Sequence, residues 1–303
     1  MEDGAKVIAV FGATGMQGGG VVTALLKNKN FEVRAVTRNT KSDKAKALEK
    51  TGVKVVEGNY DDLKCLSSIL SGCHGVFAVT NYWEILDVNK EIQQGKNLVD
   101  ACKAAGVKHL IFSGVEDIRG RTGKPSPLTD GKIGIENYMF ASGVPSTAVR
   151  YPFYVENFLE SSKAMVKKDD NGTFVIGIPM EGKSIGFGSV YCVGNAVATI
   201  FASPDAYIGK AIRFNEEQRT FQEVAAILSK SLAPKTFKAG EMTAEQFSKL
   251  GFPGAEHMGT MFEFMQAGQY LDYDLELTKQ LDPFVTFEDW VKANKEALNA
   301  AYQ

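Results

Sequence analysis

Three glycines at a three-residue spacing, Gly12, Gly15 and Gly18, stand directly behind a continuous apolar run at 7–11. Glycines so placed, where a strand turns into a helix, suit the binding of a pyrophosphate. Gly12 permits the tight turn off the strand, Gly15 lets the backbone approach the phosphates without a Cβ in the way, and Gly18 lets the helix lie close to the strand. The helix start then offers free N–H donors and a partial positive charge. The loop Gly12-Ala13-Thr14-Gly15-Met16-Gln17-Gly18 is therefore the first candidate site, for a dinucleotide cofactor.

A second group follows the next apolar run and includes Arg38, Asn39, Thr40, Lys41 and Ser42. An acidic residue at this place would accept hydrogen bonds from a free ribose diol and repel a 2′-phosphate. No Asp or Glu occurs between Val33 and Ser42, and Arg38 stands there instead. A guanidinium can fork onto a phosphate, so the expected cofactor is NADP(H) rather than NAD. Asn59 and Tyr60 follow the third strand-like run, and Thr80, Asn81 and Tyr82 the fourth. Ligands of open α/β sheets bind at the carboxyl ends of the strands, which makes these residues candidate contacts for adenine and the nicotinamide ribose.

The short-chain dehydrogenase pattern of Tyr-x-x-x-Lys, with a Ser after the fifth strand, is incomplete. Ser113 follows strand five and Lys132 opens a helical stretch before strand six, but Leu128 occupies the tyrosine's place. Without a tyrosine no phenol can pass a proton while hydride moves. Lys132 could still be a base if burial lowered its pKa, or could hold the ribose hydroxyls; we favour the ribose role. Tyr60 and Lys64 share the spacing but lie after strand three, and Tyr138 lies six residues beyond Lys132, so neither replaces the missing group. His74, His109 and His257 form no triad or metal pattern, and His109, at a strand start, reads as structural.

The elements that must carry these residues alternate. Strands are expected at 7–11, 31–36, 53–56, 76–79, 110–112 and 146–149, with helices at 17–27, 41–50, 63–70, 85–105 and 132–141. Six βα units in succession specify a doubly wound parallel sheet, an α/β Rossmann fold. After Arg150 the rhythm changes to an aromatic stretch at 151–158, strands near 173–176 and 211–214, and a helix near 190–201. A capping box at Thr220 and Glu223 and a helix start at Thr286 follow. We expect an NADP-binding domain at 1–152 and a smaller α+β subdomain at 153–303 capping the cleft, with a soft boundary because a late strand could return to the main sheet.

Composition agrees with a large buried core: 303 residues, 44% hydrophobic and 23% charged, with a mean hydropathy of −0.13. A net charge of 34 − 36 = −2 argues against a broad nucleic-acid surface and against direct nucleic-acid binding. Cys65, Cys73, Cys102 and Cys192 are far apart and read as reduced, inert thiols. The start at Met1 resembles no targeting segment, and no run is long and apolar enough for a membrane span, so a cytoplasmic protein with no membrane partner is expected.

With Phe11-Gly12-Ala13-Thr14-Gly15, Val36-Thr37-Arg38-Asn39, Val79-Thr80-Asn81-Tyr82-Trp83, Asp130-Gly131-Lys132 and Tyr154-Val155-Glu156-Asn157 in order, the chain resembles the NmrA-like family, atypical relatives of the short-chain dehydrogenases. Lys249 to Ala255 and Met261 to Phe264 look like the animal branch, although Ala13 and Met16 stand where animal relatives can carry Gly and Ala. The resemblance spans nearly the whole chain. It implies that NADP(H) is held by the glycine loop, Arg38 and its neighbours, Asn59, Tyr60, Thr80, Asn81, Tyr82, Lys132, Tyr154, Val155, Glu156 and Asn157. It also implies a redox sensor in transcription regulation that acts through regulatory protein partners, moves between cytoplasm and nucleus, and exchanges dimer for monomer. The alternative is an NADPH-dependent reductase of quinone, enone or isoflavone-like substrates using Lys132; a small-molecule substrate stays open.

Overall fold

The computed structural model describes residues 4–160, 162–268, 272–281 and 284–303. Alternation of apolar strands and amphipathic helices produces the architecture the sequence predicts. In chain order the first half reads β1 (Lys6–Phe11), α1 (Met16–Leu26), β2 (Phe31–Thr37), α2 (Asp43–Glu49), β3 (Lys54–Glu57), α3 (Leu63–Leu70) and β4 (Gly75–Ala78). It continues with α4 (Tyr82–Ile85), α5 (Val88–Ala105), β5 (His109–Gly114), α6 (Ile118–Thr122), α7 (Pro127–Ala141) and β6 (Ser146–Arg150). The central sheet has seven strands in the spatial order seventh strand-β6-β5-β4-β1-β2-β3, all pairs parallel. The order reverses beside β1, which leaves a crevice at the carboxyl ends of β1 and β4, where such sheets bind ligands.

The seventh strand, Ala211–Arg213, comes from the second half and pairs in parallel with β6, Ile212 opposite Val149. The helix Val190–Ala202 likewise belongs to the main sheet. It lies against α1 so closely that a Cβ on Gly194 would stand 2.1 Å from the Gly20 carbonyl oxygen, and one on Gly20 2.2 Å from that of Val190. These two helices cover one face of the sheet around Val10, Val22, Phe77 and Ile200; α3, α5 and α7 cover the other around Phe11, Leu66, Leu98 and Phe112.

Two helices differ from the sequence expectation, each for a local reason. The stretch at 85–105 is broken: Leu86 takes φ 51°, and Asp87 caps a new helix by accepting from Lys90 N. The helix placed at 132–141 begins five residues earlier, at Pro127, with proline in the first turn behind Ser126. Proline is at home there because that turn has no use for its missing N–H. Lys132 thus sits in the second turn, and Leu128 lies one turn before it on the same helix.

The second half adds two three-stranded sheets, Glu217–Arg219 with Ile185–Gly188 and Phe153–Tyr154, and Phe237–Ala239 with Phe174–Ile176 and Val166–Lys168. They share a core rich in aromatic rings, Phe158, Phe187, Phe221, Phe287 and Trp290 among them. The expected capping box at Thr220 and Glu223 is formed. Among the described residues no helix is long and apolar enough to cross a membrane.

Candidate functional site

The loop between β1 and α1 has the geometry that its glycines predict. Gly12 takes φ +67°, a backbone region that a side chain would strain. A Cβ on Gly18 would stand 2.2 Å from the Gly12 carbonyl oxygen, so only glycine lets α1 lie this near the strand end. Gly15 caps α1 without a side-chain bond, and no acidic residue occupies the first turn. The positive helix end is therefore left to whatever anion enters the loop. Gln17 adds a buried Oε1 with no hydrogen-bond partner, and the buried Tyr154 hydroxyl lies against the same side chain, within reach of its amide. A glycine cradle, an uncapped helix start and an unpartnered Gln17 Oε1 at its rim fit a dinucleotide.

A cleft of about 460 Å³ adjoins this loop, lined by Thr14, Thr37, Arg38, Asn39, Ser42, Asp43 and Lys44. Its wall is built by a run of local bonds. Asn39 Oδ1 accepts from Lys41 N, the Asn39 carbonyl accepts from Ser42 Oγ, and Ser42 Oγ accepts from Ala45 N to start α2. Of the residues that the sequence offers here for the cofactor, Arg38, Asn39 and Ser42 line the cleft, and Thr40 and Lys41 are not among its lining residues. Lys44 also lines it, because capping by Ser42 turns the chain into α2 at Asp43 and brings that lysine round. Arg38 itself is mostly exposed and forks onto Glu84 of α4.

Tyr60 is held behind the sheet end: its hydroxyl donates to the Val79 carbonyl at 3.0 Å and its ring stacks on Phe11. Burial pushes its phenol above the ordinary value, so it stays neutral. Asn59 is exposed and turns the chain by accepting from Asp61 N. Asn81 precedes α4 and Tyr82 opens it, its ring edge-on to Trp83. Val155 is buried in the aromatic core of the second half, and Glu156 accepts from Val190 N at the start of the helix Val190–Ala202. Tyr154 and Asn157 flank these two, Tyr154 facing the glycine loop. The four consecutive residues 154–157 thus divide between the loop and the second core.

Lys132 reaches the crevice from α7, and all three of its donors are taken. Nζ donates to the Thr80 carbonyl at 2.7 Å, to Thr80 Oγ1 at 2.9 Å and to Glu91 Oε1 at 2.8 Å, while Thr80 Oγ1 donates to the same carboxylate oxygen at 2.6 Å. Burial pushes the lysine below its ordinary value, against the pull of Glu91. Glu91 is fully buried, and a Cβ on Gly131 would stand 2.2 Å from its Oε2. Glu91 was not singled out in sequence, and Gly131 entered only as the middle residue of Asp130-Gly131-Lys132. The available signal was glycine inside a helix: Gly131 and Gly134 on α7 and Gly95 on α5 receive Glu91, Ile92 and Ile135 across the helix pair.

Elsewhere at the strand ends, Glu116 receives Arg150 and Arg213, and Arg150 also pairs with Glu136 at 2.8 Å. This network ties together the carboxyl ends of β5, β6 and the seventh strand. Tyr138 faces away, donating to Asp100. A second cleft of about 340 Å³ lies over β2 and β3 by Arg34, Glu57 and Cys65. Among the described residues no cluster of His, Cys, Asp or Glu could hold a metal ion.

The sheet order, the crevice at its reversal and the glycine loop define a doubly wound α/β protein built to hold a dinucleotide. Residues 4–291 match the NmrA-like family, and the chain belongs to that family. It is 32% identical over 234 residues to an NmrA-like family domain-containing protein of Dictyostelium discoideum, covering 74% of this chain and 77% of that protein. It is 30% identical over 306 residues to an NmrA-like family domain-containing oxidoreductase of Aspergillus flavus, covering 93% and 91%. Among solved structures it resembles NmrA, a negative transcriptional regulator, at 24% identity and a TM-score of 0.77, covering 95% of each chain. It is also similar to an NADPH-dependent quinone oxidoreductase of Escherichia coli complexed with NADPH, at 26% identity and a TM-score of 0.75, covering 94% and 99%.

Proposed function

We propose that this chain binds NADP(H) and acts as a redox-responsive regulatory protein through protein partners, without dehydrogenase chemistry of the Tyr-Lys kind. One observation carries the second clause. The ammonium of Lys132 has no N–H left to give, and Leu128, one helical turn before it, has no proton to donate. A base or acid must reach the proton it moves, and these two side chains do not supply one. NADPH carries a transferable hydride; in this reading the protein holds that cofactor as a signal.

The loop from Gly12 to Gly18 would take the pyrophosphate. Arg38 with Ser42 and Lys44 would take the 2′-phosphate, and Thr80, Asn81, Tyr82 and Tyr154 would border the nicotinamide half. The NADPH in the E. coli neighbour supports this cofactor. Regulation requires that the cofactor bind two conformations unequally, and a partner protein would read the difference; a second copy of this chain is one such partner.

A second reading, an NADPH-dependent reductase of quinones, enones or isoflavone-like compounds, is supported by the names of the A. flavus relative and the E. coli neighbour. An acceptor that takes hydride without needing a protein acid would suit this site. The test is NADPH oxidation with quinone, enone and aldehyde panels, run beside solution mass and protease sensitivity with and without NADPH. The regulatory reading expects no turnover and a cofactor-dependent change in mass or cleavage. Robust turnover, or a bound cofactor that changes neither, overturns it.

A further inference from the structure

Arg38 is not free to meet a phosphate. Its two terminal nitrogens are both engaged by the Glu84 carboxylate, Nη2 to Oε1 at 2.9 Å and Nη1 to Oε2. A fork of two parallel bonds is the geometry in which a guanidinium also grips a phosphate. Carboxylate and 2′-phosphate would therefore draw on the same pair of N–H groups, at the edge of the cleft lined by Ser42 and Lys44.

Glu84 is also held in place. It lies on α4, a single turn, where Trp83 approaches Gly254 of the second half to 3.5 Å of the position a Cβ would take. The turn that presents the carboxylate is thus anchored on both sides, by Arg38 and by the contact of its neighbour. The hydrogen bonds from Arg38 hold the Glu84 carboxyl below the usual carboxylate range.

We infer that Glu84 is a specificity-determining residue of the cofactor site, competing with the 2′-phosphate of NADP(H) for Arg38 and so narrowing the protein's preference for NADP(H) over NAD(H). NADP(H) must displace the carboxylate from the guanidinium. A cofactor with a free ribose diol can bind while the pair stays closed. The handicap falls on one cofactor alone. The inference rests on the reading of Arg38 as the 2′-phosphate ligand.

Both partners are largely exposed, 72% and 43%. An exposed pair is weak, so its removal should change affinity by about two- to fivefold. The experiment is titration calorimetry of NADPH and NADH on the full chain and on Glu84→Gln, Arg38→Ala and the double variant. Glu84→Gln should tighten NADPH by that factor and leave NADH unchanged. In the Arg38→Ala background the same change should do nothing for either cofactor. If Arg38→Ala weakens NADPH selectively but Glu84→Gln leaves NADPH unchanged or weaker, the competition is refuted while the Arg38 reading stands. If Arg38→Ala weakens both cofactors equally or neither, the Arg38 reading itself fails, and the inference with it.

Discussion

Replacing Lys132 by Met tests what that lysine is for. Its partner Glu91 is fully buried, and Lys132 is 13% exposed. Taking the ammonium away leaves a carboxylate in the interior whose second oxygen already lacks a hydrogen-bond partner. Breaking a buried ion pair on one side costs about 3–5 kcal/mol. The loss of two further bonds to Thr80, which is itself 4% exposed, places the expected value toward the upper end. In a chain of this size that is a fall in melting temperature on the order of 10 °C. The assay is urea unfolding of Lys132→Met, Glu91→Gln and the pair together. Each single change should be strongly destabilising, and the double variant should cost less than the sum of the two by about 2–3 kcal/mol, because each removes the charge that strands the other. Strict additivity, or a Lys132→Met cost under about 1 kcal/mol, would refute the claim that the lysine is locked into a buried network. The cycle also bears on catalysis. Turnover lost in Lys132→Met but present in the double variant would mean that the fold, and no ammonium, was needed.

Two further outcomes follow from the geometry. Gly18→Ala puts a Cβ 2.2 Å from the Gly12 carbonyl oxygen, and backbone at both ends cannot yield as a side-chain tip can. Overpacking of this kind costs about 1–3 kcal/mol, and calorimetry should show at least about tenfold weaker binding of NADPH, the change that each 1.4 kcal/mol brings; unchanged affinity would show that the loop is not the phosphate site. His109 lies buried with Nε2 2.8 Å from Thr147 Oγ1, which itself donates to the Tyr207 carbonyl, so the ring must donate from Nε2. Burial lowers its pKa to about 4, helped by His74. The folded state therefore prefers the neutral ring, and this contribution is complete above about pH 6.5 and lost as pH falls through 4, up to about 3 kcal/mol. Glu216, pushed up to about 7 by burial, acts oppositely: its contribution is complete below about pH 4.5 and lost as pH rises through 7. His109→Leu should accordingly lose less stability than the parent between pH 6.5 and 4, measured by urea unfolding at each pH. Equal losses would show that the ring is not buried neutral.

Much of the sheet was legible because its strands are buried on both faces and read as unbroken apolar runs. The glycine loop was legible because its constraints are local: the turn at Gly12 and the contact of Gly18 involve residues within six positions of each other. The helix at Pro127 was readable in principle from Ser126 and Pro127, but its first turn carries little apolar periodicity. The place of Lys44 on the cleft was not legible because the helix expected from 41 begins at Asp43, and each residue of such a shift turns the later side chains by about 100°. The break at Leu86 was missed for a related reason, since a single left-handed residue leaves no mark on a pattern of apolar positions.

By itself the sequence determined that a parallel sheet would form, that a dinucleotide loop would follow its first strand, and that the proton-donating tyrosine would be missing. Those properties depend on residue type and near neighbours along the chain. Tertiary structure determined the state of the two cations that matter most. Lys132 is saturated by Thr80 and Glu91, 52 and 41 positions away, and Arg38 is held by Glu84, 46 positions away. Charge pairing acts through space over a few ångströms, and no spacing along the chain records which carboxylate a fold will bring there.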